Sequence, residues 1–87
     1  MPRVVRCGLI QASNVLPPDK ASLPEIREAM IAKHLRMIEE AAGKGVQILC
    51  LQELFYGPYF CAEQETKWYH LTERVPEGPT VQLMQKL

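Results

Sequence analysis

The chain opens with an apolar run. Residues 3–12 are mostly β-branched or aliphatic, interrupted by Arg6 and Gly8, and the turn-forming pair Ser13 and Asn14 follows. A short apolar run bounded by turn-forming residues is typical of a buried strand. The pattern therefore predicts a first strand in this region, with most of its side chains in the core.

A loop and an amphipathic helix come next. Residues 15–23 contain two adjacent prolines, which neither extend a strand ladder nor fit inside a helix. Ser22 is a suitable helix cap, Pro24 suits the first turn, and Glu25 favours the positive end of the helix dipole. The apolar positions that then recur at helical spacing are Ile31, Leu35, Ile38 and Ala42, flanked by Ile26, Met30, Met37 and Ala41. This spacing predicts a helix of about five turns that ends at the Gly-Lys-Gly sequence 43–45.

A second apolar run, residues 46–51, predicts a second strand. Strand, helix and strand in this order form a βαβ unit, whose strands are parallel and normally adjacent or nearly so. The second strand ends at Gln52 and Glu53. Because binding sites in parallel α/β sheets gather beyond the carboxyl ends of the strands, Glu53 stands where a site is expected. The alternative is a surface acid that ends the strand or caps the following turn.

The segment after Glu53 is aromatic and apolar but contains a Gly-Pro pair, which predicts a loop suited to walling a pocket. We take Tyr59 and Phe60 as candidate pocket residues, with simple packing as the alternative. Further along, residues 63–70 predict a short helix, and residues 80–87 begin another helical pattern.

Composition and charge narrow the class of protein. The 87 residues suffice for one small domain, and 47% hydrophobic with 23% charged residues is typical of a folded soluble domain. Ten basic residues balance ten acidic ones, which argues against nucleic acid or anionic lipid as a partner. No apolar run approaches the roughly 18 residues of a membrane-spanning helix, and the start lacks a signal peptide's apolar region. We expect a cytoplasmic protein.

The cysteines and histidines do not suggest a metal site. Cys7, Cys50 and Cys61 are far apart and form no CxxC pair, so we predict no metal ligands and buried, reduced thiols. His34 and His70 have no Cys, Asp or Ser partner at a telling spacing, and we predict surface or packing positions for both.

The predicted βαβ unit has too few elements to cover both faces of its sheet. Parallel sheets are stable when they are larger and have both faces covered, whereas this unit has two strands and a last helix without a terminator. We therefore expect residues 1–87 to be the N-terminal portion of a single larger domain.

Five short segments share an informative order and spacing, although none is specific alone. They are Gly8-Leu9-Ile10-Gln11, the helix end at Gly45-Val46, Leu51-Gln52-Glu53-Leu54-Phe55, Tyr59-Phe60-Cys61 and Glu77-Gly78-Pro79-Thr80. Together they resemble the start of the nitrilase superfamily of carbon-nitrogen hydrolases. Within it, the branch of β-ureidopropionases and other N-carbamoyl amidohydrolases looks most similar.

The resemblance implies an α/β fold in which these residues form part of an αββα sandwich. It also implies a Glu-Lys-Cys catalytic set, no metal or other cofactor, and assembly of subunits into dimers or larger oligomers. Glu53 matches the family's general base. None of the three cysteines occupies the nucleophile's place, and we expect the catalytic lysine and cysteine beyond Leu87.

The implied substrate is a small molecule, a linear N-carbamoyl amine or amino acid. Two alternatives stay open at this point. One is another amidase of the family, acting on N-carbamoylputrescine or an ω-amide, and the other is a non-catalytic fragment that serves as an inactive partner.

Overall fold

A computed structural model describes residues 3–60 and 65–87. The elements, in chain order, are strand β1 (Cys7–Ile10), helix α1 (Leu23–Gly43), strand β2 (Ile48–Leu51), a 3₁₀ helix (Thr66–Leu71) and helix α2 (Pro79–Lys86). The predicted order of strand, loop, helix and strand is confirmed, and so is the last helix. The short helix predicted for residues 63–70 is a 3₁₀ helix where it is described, and Cys61 lies outside the described residues.

Both ends of α1 are set by the residues that the sequence singled out. The Ser22 Oγ accepts a hydrogen bond from the Glu25 backbone N–H at 3.3 Å, which satisfies a donor left free in the first turn. After the last turn, Gly45 adopts a φ of +74°, and the Val46 N–H donates to the Ala41 carbonyl at 3.1 Å. This is the Schellman arrangement, which needs a residue free of the Cβ clash at positive φ.

The two strands are parallel neighbours, as predicted, with Cys7 opposite Ile48 and Ile10 opposite Leu51. Both strands are shorter than the apolar runs that predicted them. Val4 and Val5, for example, lie in the run but precede the strand and are exposed.

One face of this sheet is open. Helix α1 contacts β1, and Ile10 on the inner face is buried. Because strand side chains alternate between faces, every second residue points outward instead. These residues form the outer face: Cys7, Leu9, Ile48 and Cys50, all exposed. The predictions of a mostly buried first strand and of buried thiols at Cys7 and Cys50 are therefore wrong for this structure, since a single helix covers only one face.

The core lies between α1 and the 3₁₀ helix. Ile26 and Met30 of α1 are almost completely buried and pack against Trp68. We call these three residues the helix cluster. His34, one turn further along α1, is also buried, so its packing role is confirmed and a surface position is wrong. Residues Ile31, Leu35 and Ile38, which marked the predicted apolar face, are only half-buried.

The described part of the chain is extended for its length. Its radius of gyration is 15.0 Å, against about 12 Å for a compact domain of this size. Among the described residues, no helix is both long enough and apolar enough to cross a membrane.

Candidate functional site

Glu53 stands two residues beyond the end of β2, at the carboxyl edge of the sheet where the sequence placed it. The residue is exposed, and its carboxylate makes no hydrogen bond or ion pair within residues 3–60 and 65–87. An exposed carboxylate without a partner has lone pairs available to accept a proton. Glu53 also lines two clefts that meet at this edge.

The first, which we call the apolar cleft, has a volume of about 240 Å³. Leucine and aromatic side chains make up most of its wall, among them Leu54, Tyr56, Phe60, Trp68 and Leu71. Phe60, predicted to line a pocket, is therefore brought together with Glu53 here. Trp68 connects this cleft to the helix cluster, so the same ring forms part of the core and part of the wall.

The second, which we call the polar cleft, is wider and more open, with a volume of about 480 Å³. Its polar wall residues are Ser13, Asn14, Gln52, Glu53 and Tyr59. Tyr59 thus lies with Glu53 in a different cleft from Phe60. Both aromatic residues are exposed, and their contact with a substrate stays a prediction.

The residue before Glu53 holds this segment to the chain just beyond β1. The Gln52 side-chain amide accepts from the Ala12 N–H at 2.6 Å and donates to the Ala12 carbonyl at 3.0 Å. A side-chain amide presents an acceptor and a donor at the same end, so it pairs with a backbone amide and carbonyl together. Sequence reasoning named Gln52 only as the end of the strand and missed this contact.

Helix α1 also holds a residue that lines the polar cleft. Lys33 donates from Nζ to the Ser13 carbonyl at 2.8 Å and to the Ser13 Oγ at 3.3 Å. The loop after β1 is therefore held by the helix, and the Ser13 side of the cleft is fixed relative to the core. In the sequence Lys33 is one of several charged residues on the polar side of the helix, and nothing in its spacing distinguishes it.

An aromatic contact series fixes the segment after Glu53. The His34 ring meets the Phe55 ring edge-on with centroids 5.5 Å apart, and Phe55 meets Tyr56 in the same way at 5.4 Å. The Tyr56 hydroxyl donates to the Leu71 carbonyl at 2.9 Å, at the end of the 3₁₀ helix. The chain leaving Glu53 is thereby held between α1 and the 3₁₀ helix.

The environment of Tyr56 alters its acidity. Burial disfavours the phenolate and raises the pKa of Tyr56 above its ordinary value of 10.0, and the negative charge of Glu73 raises it further. The positive charge of Arg27 acts in the opposite direction. Tyr56 is therefore held as the neutral phenol that its hydrogen bond to Leu71 requires.

The described cysteines lie elsewhere. Cys7 and Cys50 belong to the outer face of the sheet, and neither lines the apolar or the polar cleft. Within the described residues, no three His, Cys, Asp or Glu side chains are grouped so that they could hold a metal ion. The carboxylate that the described residues contribute to the clefts is that of Glu53.

Comparison with known proteins identifies the class. The sequence profile of the carbon-nitrogen hydrolases matches residues 8–87, and the chain belongs to this family. The resemblance noted in the sequence is thereby confirmed.

Individual relatives show which members of the family the chain is similar to. The chain is 40% identical to a β-ureidopropionase of Arabidopsis thaliana over 87 residues, which is 99% of this chain and 21% of the relative. It is 39% identical over 57 residues to an N-carbamoylputrescine amidase of Solanum lycopersicum, covering 66% of this chain and 19% of that protein. The chain therefore spans about a fifth of the length of the curated relatives it matches. No solved structure matches it.

Proposed function

We propose that the complete protein containing residues 1–87 hydrolyses a carbon-nitrogen bond in a linear N-carbamoyl amine or amino acid, with Glu53 as the general base. Membership of the carbon-nitrogen hydrolases supports the reaction class. The β-ureidopropionase and the N-carbamoylputrescine amidase among its relatives support an N-carbamoyl substrate.

The observation that carries the assignment of the base is the position of Glu53. Its carboxylate is exposed, has no partner among the described residues, and lines both clefts at the carboxyl edge of the sheet. A general base must reach the proton it removes, and a carboxylate already engaged in an ion pair is a poorer acceptor. Glu53 has no such ion pair among the described residues and faces both clefts, which supports its assignment as the base.

The chemistry requires two further groups, which this proposal assigns to the complete protein beyond Leu87. Glu53 takes the proton of a cysteine thiol as the sulfur attacks the carbonyl carbon of the substrate. A lysine ammonium stabilises the oxyanion that forms, and the protonated Glu53 gives its proton to the departing nitrogen. Water, deprotonated by Glu53, then releases the acyl group from sulfur and restores the thiol. For an N-carbamoyl substrate the acyl group leaves sulfur as a carbamic acid, which loses carbon dioxide and frees the second nitrogen group. The net products are therefore the free amine, carbon dioxide and ammonia.

The same proposal includes the fold of the complete domain. The outer face of the sheet is apolar and uncovered, with Leu9 74% exposed and Ile48 59% exposed. Apolar faces of this kind are normally buried against another layer. A second sheet packed on this face gives the αββα sandwich, with residues 1–87 as its N-terminal portion. Assembly of such subunits into dimers or larger oligomers belongs to this proposal as well.

The test is the Glu53→Gln variant of the complete protein, assayed for ammonia release from N-carbamoyl-β-alanine. Glutamine keeps the shape but cannot take a proton, so we expect kcat to fall by about 10²- to 10⁴-fold. Glu39→Gln is the matched control, because Glu39 is an exposed glutamate on α1 that lines neither cleft. Near-normal turnover by Glu53→Gln would exclude Glu53 as the base.

A substrate panel separates the remaining possibilities. N-carbamoyl-β-alanine, N-carbamoylputrescine and an ω-amide are compared by kcat/KM on the complete protein. Preference for the second or third compound would place the protein with the other amidases of the family. If none of the three is hydrolysed, the proposal of an N-carbamoyl hydrolase fails and the inactive-partner alternative gains support.

A further inference from the structure

We propose that Gln52 is a positioning residue for Glu53, because its side-chain amide extends the parallel sheet by one rung and fixes the backbone on which the base is carried. This inference rests on the proposed function of Glu53. It adds a residue whose contribution to turnover is made through the backbone, without contact with the substrate.

The backbone pairing of the two strands ends with Ile10 opposite Leu51. Gln52 lies one position beyond the end of β2. Its side-chain amide accepts from the Ala12 N–H at 2.6 Å and donates to the Ala12 carbonyl at 3.0 Å. Ala12 lies two residues beyond the end of β1. The Gln52 side chain therefore takes the place of backbone hydrogen bonds at the point where the pairing of the two strands has ended.

The same amide also restrains the far side of Glu53. Its Nε2 lies 3.5 Å from the Leu54 carbonyl oxygen, at the outer limit of a hydrogen bond, so this restraint is weak. The residue before Glu53 and the residue after it are thus linked through one side chain. Gln52 is half-buried, and a hydrogen bond shielded from water is stronger than an exposed one.

This matters because the Glu53 side chain has no hydrogen bond or ion pair of its own within residues 3–60 and 65–87. The direction of the side chain therefore depends on the backbone. Gln52 also links two other residues that line the polar cleft, Ala12 through its hydrogen bonds and Glu53 through the chain. Loss of the amide should widen the cleft and let the base move, and a displacement of about 1 Å can lower a rate by about 100-fold.

The amide's two functions can be separated by substitution. Gln52→Leu removes both the donor and the acceptor. Gln52→Glu keeps the length and the acceptor for the Ala12 N–H, but an ionised carboxylate turns an oxygen towards the Ala12 carbonyl and repels it. Protonating that carboxylate restores a donor, so a positioning role predicts that the variant recovers relative activity as the pH falls.

The opposite edge of the sheet supplies a matched control. The Gln47 side chain accepts from the Arg6 N–H at 3.0 Å, so it also joins β2 to the backbone before β1. Gln47 lies before β2 and lines neither cleft. Gln47→Leu therefore loosens the same sheet at the end away from Glu53.

The experiment measures kcat and KM of the complete protein with N-carbamoyl-β-alanine across a range of pH, together with the melting temperature. We expect Gln52→Leu to lower kcat by about 10- to 100-fold, with a smaller change in KM. Gln47→Leu should keep kcat within about twofold, since it leaves the carboxyl edge intact. For Gln52→Glu, the ratio of its kcat to the unsubstituted protein's should rise as the pH is lowered.

Four outcomes would overturn the inference. Gln52→Leu keeping kcat within about twofold, while Glu53→Gln is inactive, would reject Gln52 as a positioning residue and leave the proposed function standing. Equal losses of kcat in the Gln52→Leu and Gln47→Leu variants would show a general loosening of the sheet and reject a specific role for Gln52.

If Gln52→Leu does not fold, the test is made with Gln52→Glu. A ratio of its kcat to that of the unsubstituted protein that does not change with pH would reject the inference. Full turnover by Glu53→Gln would remove the proposed function and this inference together.

Discussion

The helix cluster and the carboxyl edge of the sheet are built on different principles. In the cluster, Met30 is 0% exposed and Ile26 2% exposed, so apolar burial determines the structure there. At the sheet edge the candidate base is exposed, and individual hydrogen bonds from Gln52 and Lys33 hold the loops in place. Packing thus provides stability in one region, while directional polar contacts provide geometry in the other.

The largest expected effects come from truncating one apolar side chain in the helix cluster and one on the outer face of the sheet, both in the complete protein. Met30→Ala should lower the free energy of unfolding by about 2–5 kcal/mol, because it leaves a cavity in the helix cluster. Leu9→Ala tests the outer face of the sheet. If a second sheet covers this face, as proposed, the cost should also reach about 2–5 kcal/mol.

Denaturant unfolding of both variants provides the measurement, with Glu28→Ala on the exposed side of α1 as the control. The control should change stability by less than about 0.5 kcal/mol. A similarly small effect of Leu9→Ala would mean that the outer face is exposed to solvent and would reject the sandwich. A small effect of Met30→Ala would mean that the helix cluster is not the core.

The sequence predicted best where a feature depends on a few neighbouring residues. The cap at Ser22, the helix end at Gly45 and the place of Glu53 after β2 all follow from local rules. The burial of individual side chains was predicted less well, because it depends on contacts with residues that are distant in the sequence. The helix turns its Ile26, Met30 and His34 side inward, since Trp68 arrives on that side from the 3₁₀ helix.

At the candidate site, too, local features were predicted and contacts between distant residues were not. Glu53 was found from its position after a strand, and Tyr59 and Phe60 do line clefts beside it. The contact between Gln52 and Ala12 joins residues 40 positions apart, and that between Lys33 and Ser13 joins residues 20 apart. No spacing rule within one segment predicts such pairs. They become visible only when the register of the strands and the rotation of the helix are known.

A smaller loss of stability is expected at the entry to α2. A Cβ on Gly78 would lie 2.6 Å from the Arg74 carbonyl oxygen and 2.8 Å from the Glu73 Cβ. Gly78→Ala should therefore lower the free energy of unfolding by about 1–3 kcal/mol through overpacking. It should also disturb the Glu73 carboxylate, which accepts from the Thr80 N–H at 2.7 Å in the first turn of α2.

Gly43 supplies the matched control for this substitution. It is the last residue of α1, and a Cβ there meets nothing within 4 Å. Gly43→Ala should leave stability unchanged or raise it by about 0.4–1 kcal/mol, since alanine restricts the unfolded chain. Thermal unfolding of the two variants decides the point, and equal effects would show that the close contact at Gly78 is relieved without cost.

The smallest effect is expected from Tyr56→Phe, which removes the hydrogen bond to Leu71 between the segment after Glu53 and the 3₁₀ helix. At neutral pH the loss should be about 0.5–1.5 kcal/mol. Tyr69→Phe is the control, because Tyr69 is 70% exposed. Tyr69→Phe should lower the free energy of unfolding by less at the same pH, since little of the Tyr69 surface is shielded from water.

The pH dependence gives the sharper test of Tyr56. Its pKa is raised in the folded protein, mainly by burial and also by Glu73, so above pH 10.0 the unfolded chain loses this proton before the folded chain does. The folded state then binds more protons, and the free energy of unfolding must fall as the pH rises. Phenylalanine has no proton to lose, so Tyr56→Phe should show a shallower fall above that pH, while Tyr69→Phe keeps the steeper one. Equal slopes in the two variants would mean that Tyr56 is as free to ionise in the folded protein as in the unfolded chain. In that case the Tyr56 hydroxyl does not hold the segment after Glu53, and the geometry of the sheet edge depends on the hydrogen bonds of Gln52 and Lys33.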